Sequence, residues 1–204
     1  MRARPGLERA TNHPQLPRYT PKLEGHMDEA RVLAVEDRYQ VNGNGNGHHP
    51  QQSPFGGARV VTECIPIVTA EAPDFVDLTA EIEEIVNRTG VLHGFVTVFS
   101  KHTTAAVRIN ENETCLKRDM AKVLERIAPC GTYYEHNDLE IRTENLTEDE
   151  DMNGHSHCLQ MLMGTSESIP VIGGKLGLGR WQRVFLIELD KPRNREVVVQ
   201  VLGI

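Results

Sequence analysis

The stretch Lys101-His102-Thr103-Thr104-Ala105-Ala106-Val107-Arg108-Ile109-Asn110-Glu111 decides how this chain folds. Thr103, Ala105, Val107 and Ile109 share one parity; His102, Thr104, Ala106, Arg108 and Asn110 share the other. Side chains of a strand alternate between faces, so the spacing predicts a strand with one small apolar face for a core. Its other face carries an imidazole, a hydroxyl, a guanidinium and a carboxamide, with Glu111 at the end. A solvated strand face would read the same way. Just beyond, Leu116, Met120, Val123, Leu124 and Ile127 recur at helical spacing, and Asp119 falls on the edge of their stripe. The polar end of the strand and the flank of the helix are therefore expected to face a common volume.

Upstream, Val60 to Val68 reads as a strand, with Pro66 marking an edge or a bulge. Asp77-Leu78-Thr79 opens a helix carrying Ile82, Ile85 and Val86, and Gly90 closes it. His93 to Lys101, apolar on both faces, reads as a central strand. Downstream, the second helix stops at Pro129. Cys130 to Asp151 is long, acidic and poor in apolar residues, the kind of connection that is functional or disordered. Asn153 is placed to cap a short third helix ending at Gly164. Ser168–Ile172, Lys175–Gly179, Arg183–Asp190 and Arg195–Leu202 read as strands. Gly173-Gly174 makes a hairpin turn, and Lys191-Pro192-Arg193-Asn194 joins the last two strands. Strands outnumber helices and are mostly joined by short turns, so the fold class is α+β with antiparallel sheets.

The chain has 204 residues and a formal charge of -7. Residues 1–58 carry a net +1 and residues 59–204 a net -8. An acidic body argues against nucleic acid as a partner, because phosphate contacts supply most of that affinity. No apolar run is long enough to span a membrane, and the N-terminus lacks a secretory apolar core, so a cytoplasmic protein is expected. Cys64, Cys115, Cys130 and Cys158 form no C-x-x-C pair and are expected as free thiols. Residues 1–58, rich in Pro and with an Asn-Gly repeat at 42–47, read as a disordered N-terminal tail. Met27 could serve as a second start. Residues 59–204 form the folded body.

Three body histidines, His102, His136 and His157, come from separate elements. Convergence of that kind suits a three-ligand metal site with an open position. A lone histidine is also often a satisfied core or surface residue. Glu111 could serve as a helix N-terminal acid, and Asp119 could pair with Lys122 or Arg118. Arg193 and Arg195 could hold a phosphate or carboxylate, or pair with the acidic loop. Trp181, the single tryptophan, could pack in a core.

His102-Thr103-Thr104-Ala105-Ala106, Asn110-Glu111, Asp119, Pro129, His136, Asn153 with His157, Gly164, Gly177 to Gln182 and Asp190 to Arg195 follow one another in an order that resembles the YjbQ-like family over residues 59–204. The usual form of the late turn has Gly where this chain has Lys191. The resemblance implies an antiparallel β-sandwich with two to three helices that forms a homotrimer about a threefold axis. It implies a divalent metal ion, Zn or Mg, on His102, His136 and His157, with His157 preferred over its neighbour His155. Asn110, Glu111 and Asp119 are then the catalytic residues. Thr103, Thr104, Asn153, Trp181, Gln182, Arg193 and Arg195 would meet a small phosphorylated or anionic substrate. The family's common label, secondary thiamine-phosphate synthase, implies joining a pyrimidine pyrophosphate to a thiazole phosphate, a side reaction in a family whose main role is open. Metal-assisted hydrolysis and non-catalytic binding of a metal or anion are the alternatives.

Overall fold

The structure, a computed structural model, describes residues 57–204. The tail, its possible second start and all but the end of the 1–58 segment lie outside the described residues. Eight strands and three helices follow in the order β1 (Arg59–Val68), β2 (Asp74–Asp77), α1 (Thr79–Thr89), β3 (His93–Ser100), β4 (Ala105–Glu111), α2 (Thr114–Ile127), α3 (Gly154–Met163), β5 (Ser166–Ile172), β6 (Lys175–Leu176), β7 (Gln182–Glu188) and β8 (Asn194–Gly203). A single 3-10 turn, Glu135–Asn137, interrupts the acidic connection. All pairings are antiparallel. The large sheet runs β1-β8-β3-β5-β6 and the small one β2-β7-β4. The fold is α+β, as the sequence implies. β1, with its Pro66, is an edge strand, and β3 is central.

The parity of β4 sets the layers. Ala105 and Val107 are fully buried in a core shared by both sheets, with Ile65, Val96 and Val199 from the large sheet and Val184 and Leu186 from the small one. α1 adds Ile82, Ile85 and Val86 to the same core. Its start is fixed by Asp77, whose carboxylate accepts from the Thr79 backbone N–H at 2.9 Å, and its end by Gly90 at φ +67°, the left-handed turn glycine takes without strain. On the opposite face of β4, Ala106 is buried with Phe185, Ile187 and Leu159 beneath α2 and α3. That face is therefore covered at its middle, where solvent was the simpler expectation.

α2 follows the apolar spacing read from the sequence. Glu113 caps it, accepting from the Cys115 and Leu116 backbone N–H groups at 2.7 and 2.8 Å. The strand preceding it is shorter than expected: β4 begins at Ala105, and His102 to Thr104 lie in the connection from β3. Three further details differ from the sequence reading. β2 has too few residues for alternation to reveal it, and β6 spans only Lys175–Leu176. Asn153 does not cap α3 with its side chain, which bonds Asp190 instead at 3.1 Å. The four cysteines are free.

Candidate functional site

The described residues form a cleft of about 1000 Å³ beside the start of β4. Four segments build it: the β3–β4 connection, the acidic loop with its 3-10 turn, the start of α3, and the β7–β8 turn. His102, Thr103, Thr104, His136, Asn153, His157, Arg193 and Arg195 all line it.

His136 and His157 meet edge to face, with ring centroids 4.6 Å apart. The approach of their two segments depends on Gly154 at the start of α3. A Cβ there would fall 2.6 Å from the Tyr134 Cβ, so any larger residue would push the 3-10 turn away. The Asn137 side chain closes the same junction, accepting from the Gly154 N–H at 2.9 Å. Arg142 holds the loop behind His136. Its guanidinium donates to the carbonyls of His136, Glu144 and Asn145 and to the Glu150 carboxylate, the last at 2.7 Å. Burial, and then the neighbouring His136, lowers the pKa of His157. The ring is therefore neutral near pH 7, with a lone pair available for a proton or a metal.

His102 is differently engaged. Its Nε2 accepts from the Glu196 backbone N–H at 3.0 Å, which ties the β3–β4 connection to β8. A neutral His102 then carries its proton on Nδ1 and has no free lone pair. Burial, and then Arg195, lowers its pKa. With His102 engaged by β8, the imidazoles left with free lone pairs beside one another are His136 and His157. Among the described residues, no group of three or more His, Cys, Asp and Glu side chains is placed to hold a metal ion.

The floor is a buried ion pair. Arg195 donates to both oxygens of Glu188, at 2.5 and 2.6 Å, and to the Thr104 hydroxyl at 2.9 Å. Glu188, fully buried, also accepts from the Leu189 and Asp190 N–H groups and from Thr69. Arg195, on β8 of the large sheet, is thus committed to Glu188 on β7 of the small sheet and positions Thr104. On the rim, Arg193 pairs with Asp190 and Asp151, and Lys191 pairs with Asp151.

The remaining candidates lie elsewhere in the chain. β4 spans six residue steps from Ala105 to Glu111, roughly 20 Å of extended strand. Asn110 and Glu111 are at its far end, Gln182 pairs opposite Glu111, and Trp181 adjoins it, exposed beneath the Arg180 guanidinium. Asn110 donates to the Met120 sulfur at 3.3 Å, and Asp119 pairs with Lys122 at 2.8 Å on the surface of α2. The strand end does meet α2 through the Asn110–Met120 contact, but within one chain these residues do not line the cleft that holds the imidazoles. Alternation gives the face of a strand residue but not its position along the strand. Arg142, Glu150, Asp151 and Glu188 were not singled out from the sequence, and Asp190 and Lys191 entered only as members of the late turn. A lone arginine in an acidic loop and a turn with charges of both signs were the available signals.

Comparison with known proteins agrees with the resemblance. Residues 63–204 match the model of the UPF0047 protein YjbQ-like family. A UPF0047 protein of Methanothermobacter thermautotrophicus is 37% identical over 144 residues, covering 71% of this chain and 93% of that protein. A UPF0047 protein of Archaeoglobus fulgidus is 36% identical, covering 68% of this chain and 98% of its own length. The crystal structure of a YbjQ-like protein of unknown function from Sulfolobus solfataricus superposes with a TM-score of 0.65 at 32% identity, covering 72% of this chain and 99% of that one. A hypothetical protein from Aeropyrum pernix gives 0.63 at 33% identity, covering 71% and 99%. Family model, relatives and fold agree: this chain belongs to the UPF0047, YjbQ-like family.

Proposed function

We propose that this protein is a metal-dependent enzyme that acts on a small phosphorylated substrate in the His136–His157 cleft. The observation that carries this reading is the pair of imidazoles held edge to face in a cleft rimmed by Arg193 and Asn153. Imidazole nitrogens suit Zn better than Mg, which prefers oxygen ligands. His136 and His157 would hold the ion, and when bound it supplies Lewis-acid stabilisation of charge on a departing phosphate oxygen. The chain's own groups supply the rest. Asn153 orients Asp190, the Asp190–Arg193 pair offers guanidinium donors to an anion, and a neutral imidazole can exchange a proton with a leaving group. Joining a pyrimidine pyrophosphate to a thiazole phosphate fits this inventory: the thiazole nitrogen forms a bond to the pyrimidine methylene carbon as the carbon–oxygen bond to pyrophosphate breaks.

Assembly belongs to the same reading. Among the described residues no helix covers the outer face of the large sheet, and Val60, Leu202, Phe95 and Pro170 form a row across four of its strands. Phe95 and Phe99 are about 40% exposed there, at 43% and 39%. The two sheets, as the layers of a sandwich, would associate as three copies, burying such apolar surface. Among the described residues, no helix is long and apolar enough to cross a membrane.

The test is turnover. Purified protein is assayed for thiamine phosphate formation and for phosphate release from a panel of phosphate esters. Turnover in the wild type, lost in His136→Ala and His157→Ala, supports an enzyme. A metal-loaded wild type that turns over none of the panel overturns it in favour of a binding module.

A further inference from the structure

We infer that Lys191 and Arg193 form a receptor for a phosphate or pyrophosphate group, and that the Asp151 carboxylate occupies it until the anion arrives. This rests on the phosphorylated-substrate reading above and names where such a group docks. Asp151 lies at the end of the acidic loop, and its two oxygens are taken one by the Lys191 ammonium and one by the Arg193 guanidinium. Two oxygens of one anionic group, each met by a separate cation, is also how a phosphate is held.

The two carboxylates at Arg193 are not equivalent. Asp190 is in the same turn, its side chain is 6% exposed, and it accepts from Arg193 and Asn153 together. It is the fixed counterion. The turn itself is anchored by Thr69, whose hydroxyl accepts from the Arg193 N–H at 2.8 Å and donates to Glu188 at 3.1 Å. Asp151 is 24% exposed and enters from a loop braced internally by Arg142 with Glu150. With Asp151 in place, Lys191, Arg193, Asp190 and Asp151 sum to no net charge. With Asp151 displaced, the receptor carries one positive charge. An incoming dianion can replace a single carboxylate at both cations, while Asp190 keeps Arg193 aligned. The second cation, Lys191, should raise affinity for a doubly charged group.

The experiment is calorimetric titration of the full chain with inorganic pyrophosphate at low salt. Asp151→Asn removes the competing charge and keeps the shape, and should tighten pyrophosphate binding about tenfold, the order expected for one charge-assisted competitor. Lys191→Gly should weaken it several-fold, and Arg193→Gln more. A parallel readout is limited proteolysis within residues 139–150. Cleavage should accelerate when pyrophosphate is added to the wild type, and should be fast without it in Asp151→Asn. Unchanged or weaker binding by Asp151→Asn would overturn the receptor. So would pyrophosphate protecting the loop. If the wild type binds pyrophosphate and Asp151→Asn does not improve on it, only this inference fails. If neither binds and the substrate panel is also inert, the phosphorylated-substrate reading fails with it.

Discussion

The two ends of β4 differ in what surrounds them. At its start, His102, Thr103 and Thr104 meet three other segments in one cleft, above a buried ion pair. At its end, Asn110, Glu111 and the adjoining Asp119 meet solvent, the Met120 sulfur and a surface lysine. A strand brings distant residues together only where other elements cross it. The crossing here is at the start, where the acidic loop, α3 and the β7–β8 turn converge. Chemistry that needs several groups at once is therefore expected at the first end.

The largest effect should come from the cleft floor. Arg195→Met leaves the buried Glu188 carboxylate without its partner, and should destabilise the fold by about 3–5 kcal/mol, measured by urea denaturation. A loss no larger than that of a surface pair would show that the floor is wetter than its geometry implies.

Next is Gly154→Ala, which changes no candidate ligand. Its Cβ would collide with the Tyr134 Cβ, so the 3-10 turn must retreat and carry His136 from His157. Metal affinity should fall at least about tenfold while the chain stays folded, because small displacements of a site's supports are costly. Unchanged affinity would mean that the two rings do not act together.

Stability should also depend on pH in one direction. Burial lowers the pKa of His102, His155 and His157 from the ordinary 6.5. Around His155, whose Nδ1 has no hydrogen-bond partner, stand Ser156, the Tyr134 ring, Asp190 and Glu125. The unfolded chain takes up these protons from about pH 6.5 downward, while the folded chain resists them. Stability is complete above pH 6.5 and falls with acidification. Below about pH 4.5 the lowered carboxylates Glu150, Asp151 and Glu196 extend the loss. Thermal melts from pH 8 to pH 4 should decline monotonically, and a rise between pH 6.5 and pH 5 would contradict the buried-imidazole account.

The smallest effect belongs to the far end. Asp119→Asn breaks only an exposed pair and should change stability by less than about 0.5 kcal/mol. If a single chain holds the whole site, Asp119→Asn and Glu111→Gln should keep turnover within about threefold. A collapse of turnover in either, with metal retained, would show that the far end of one copy serves the cleft of another.

What the sequence made legible follows from the range over which each signal acts. Period-two and period-3.6 patterns located β4, α1 and α2, because burial of one face is imposed along the whole element, and β-rich apolar runs located β1 and β3. They also placed Ala105, Val107 and Ile109 on the core side. β2 and β6 were too short to show a period. The sorting of candidates between two ends was not legible, because it depends on which segments cross β4. The family resemblance supplied an ordered set of residues but not their grouping. Nor could spacing show that Glu196 N–H engages His102, or that Arg195 turns to Glu188, since the first joins a connection to a strand and the second joins two different sheets, and only tertiary packing fixes either.

On the proposed reading, His136 and His157, and not His102, anchor a metal at the start of β4. Elemental analysis of the purified wild type and of His102→Ala, His136→Ala and His157→Ala, each loaded with Zn and desalted, tests it most directly. The account predicts metal in the wild type, near-complete loss in the His136 and His157 variants, and retention in His102→Ala. Full occupancy in His157→Ala, or loss in His102→Ala from a chain that remains folded, would contradict it.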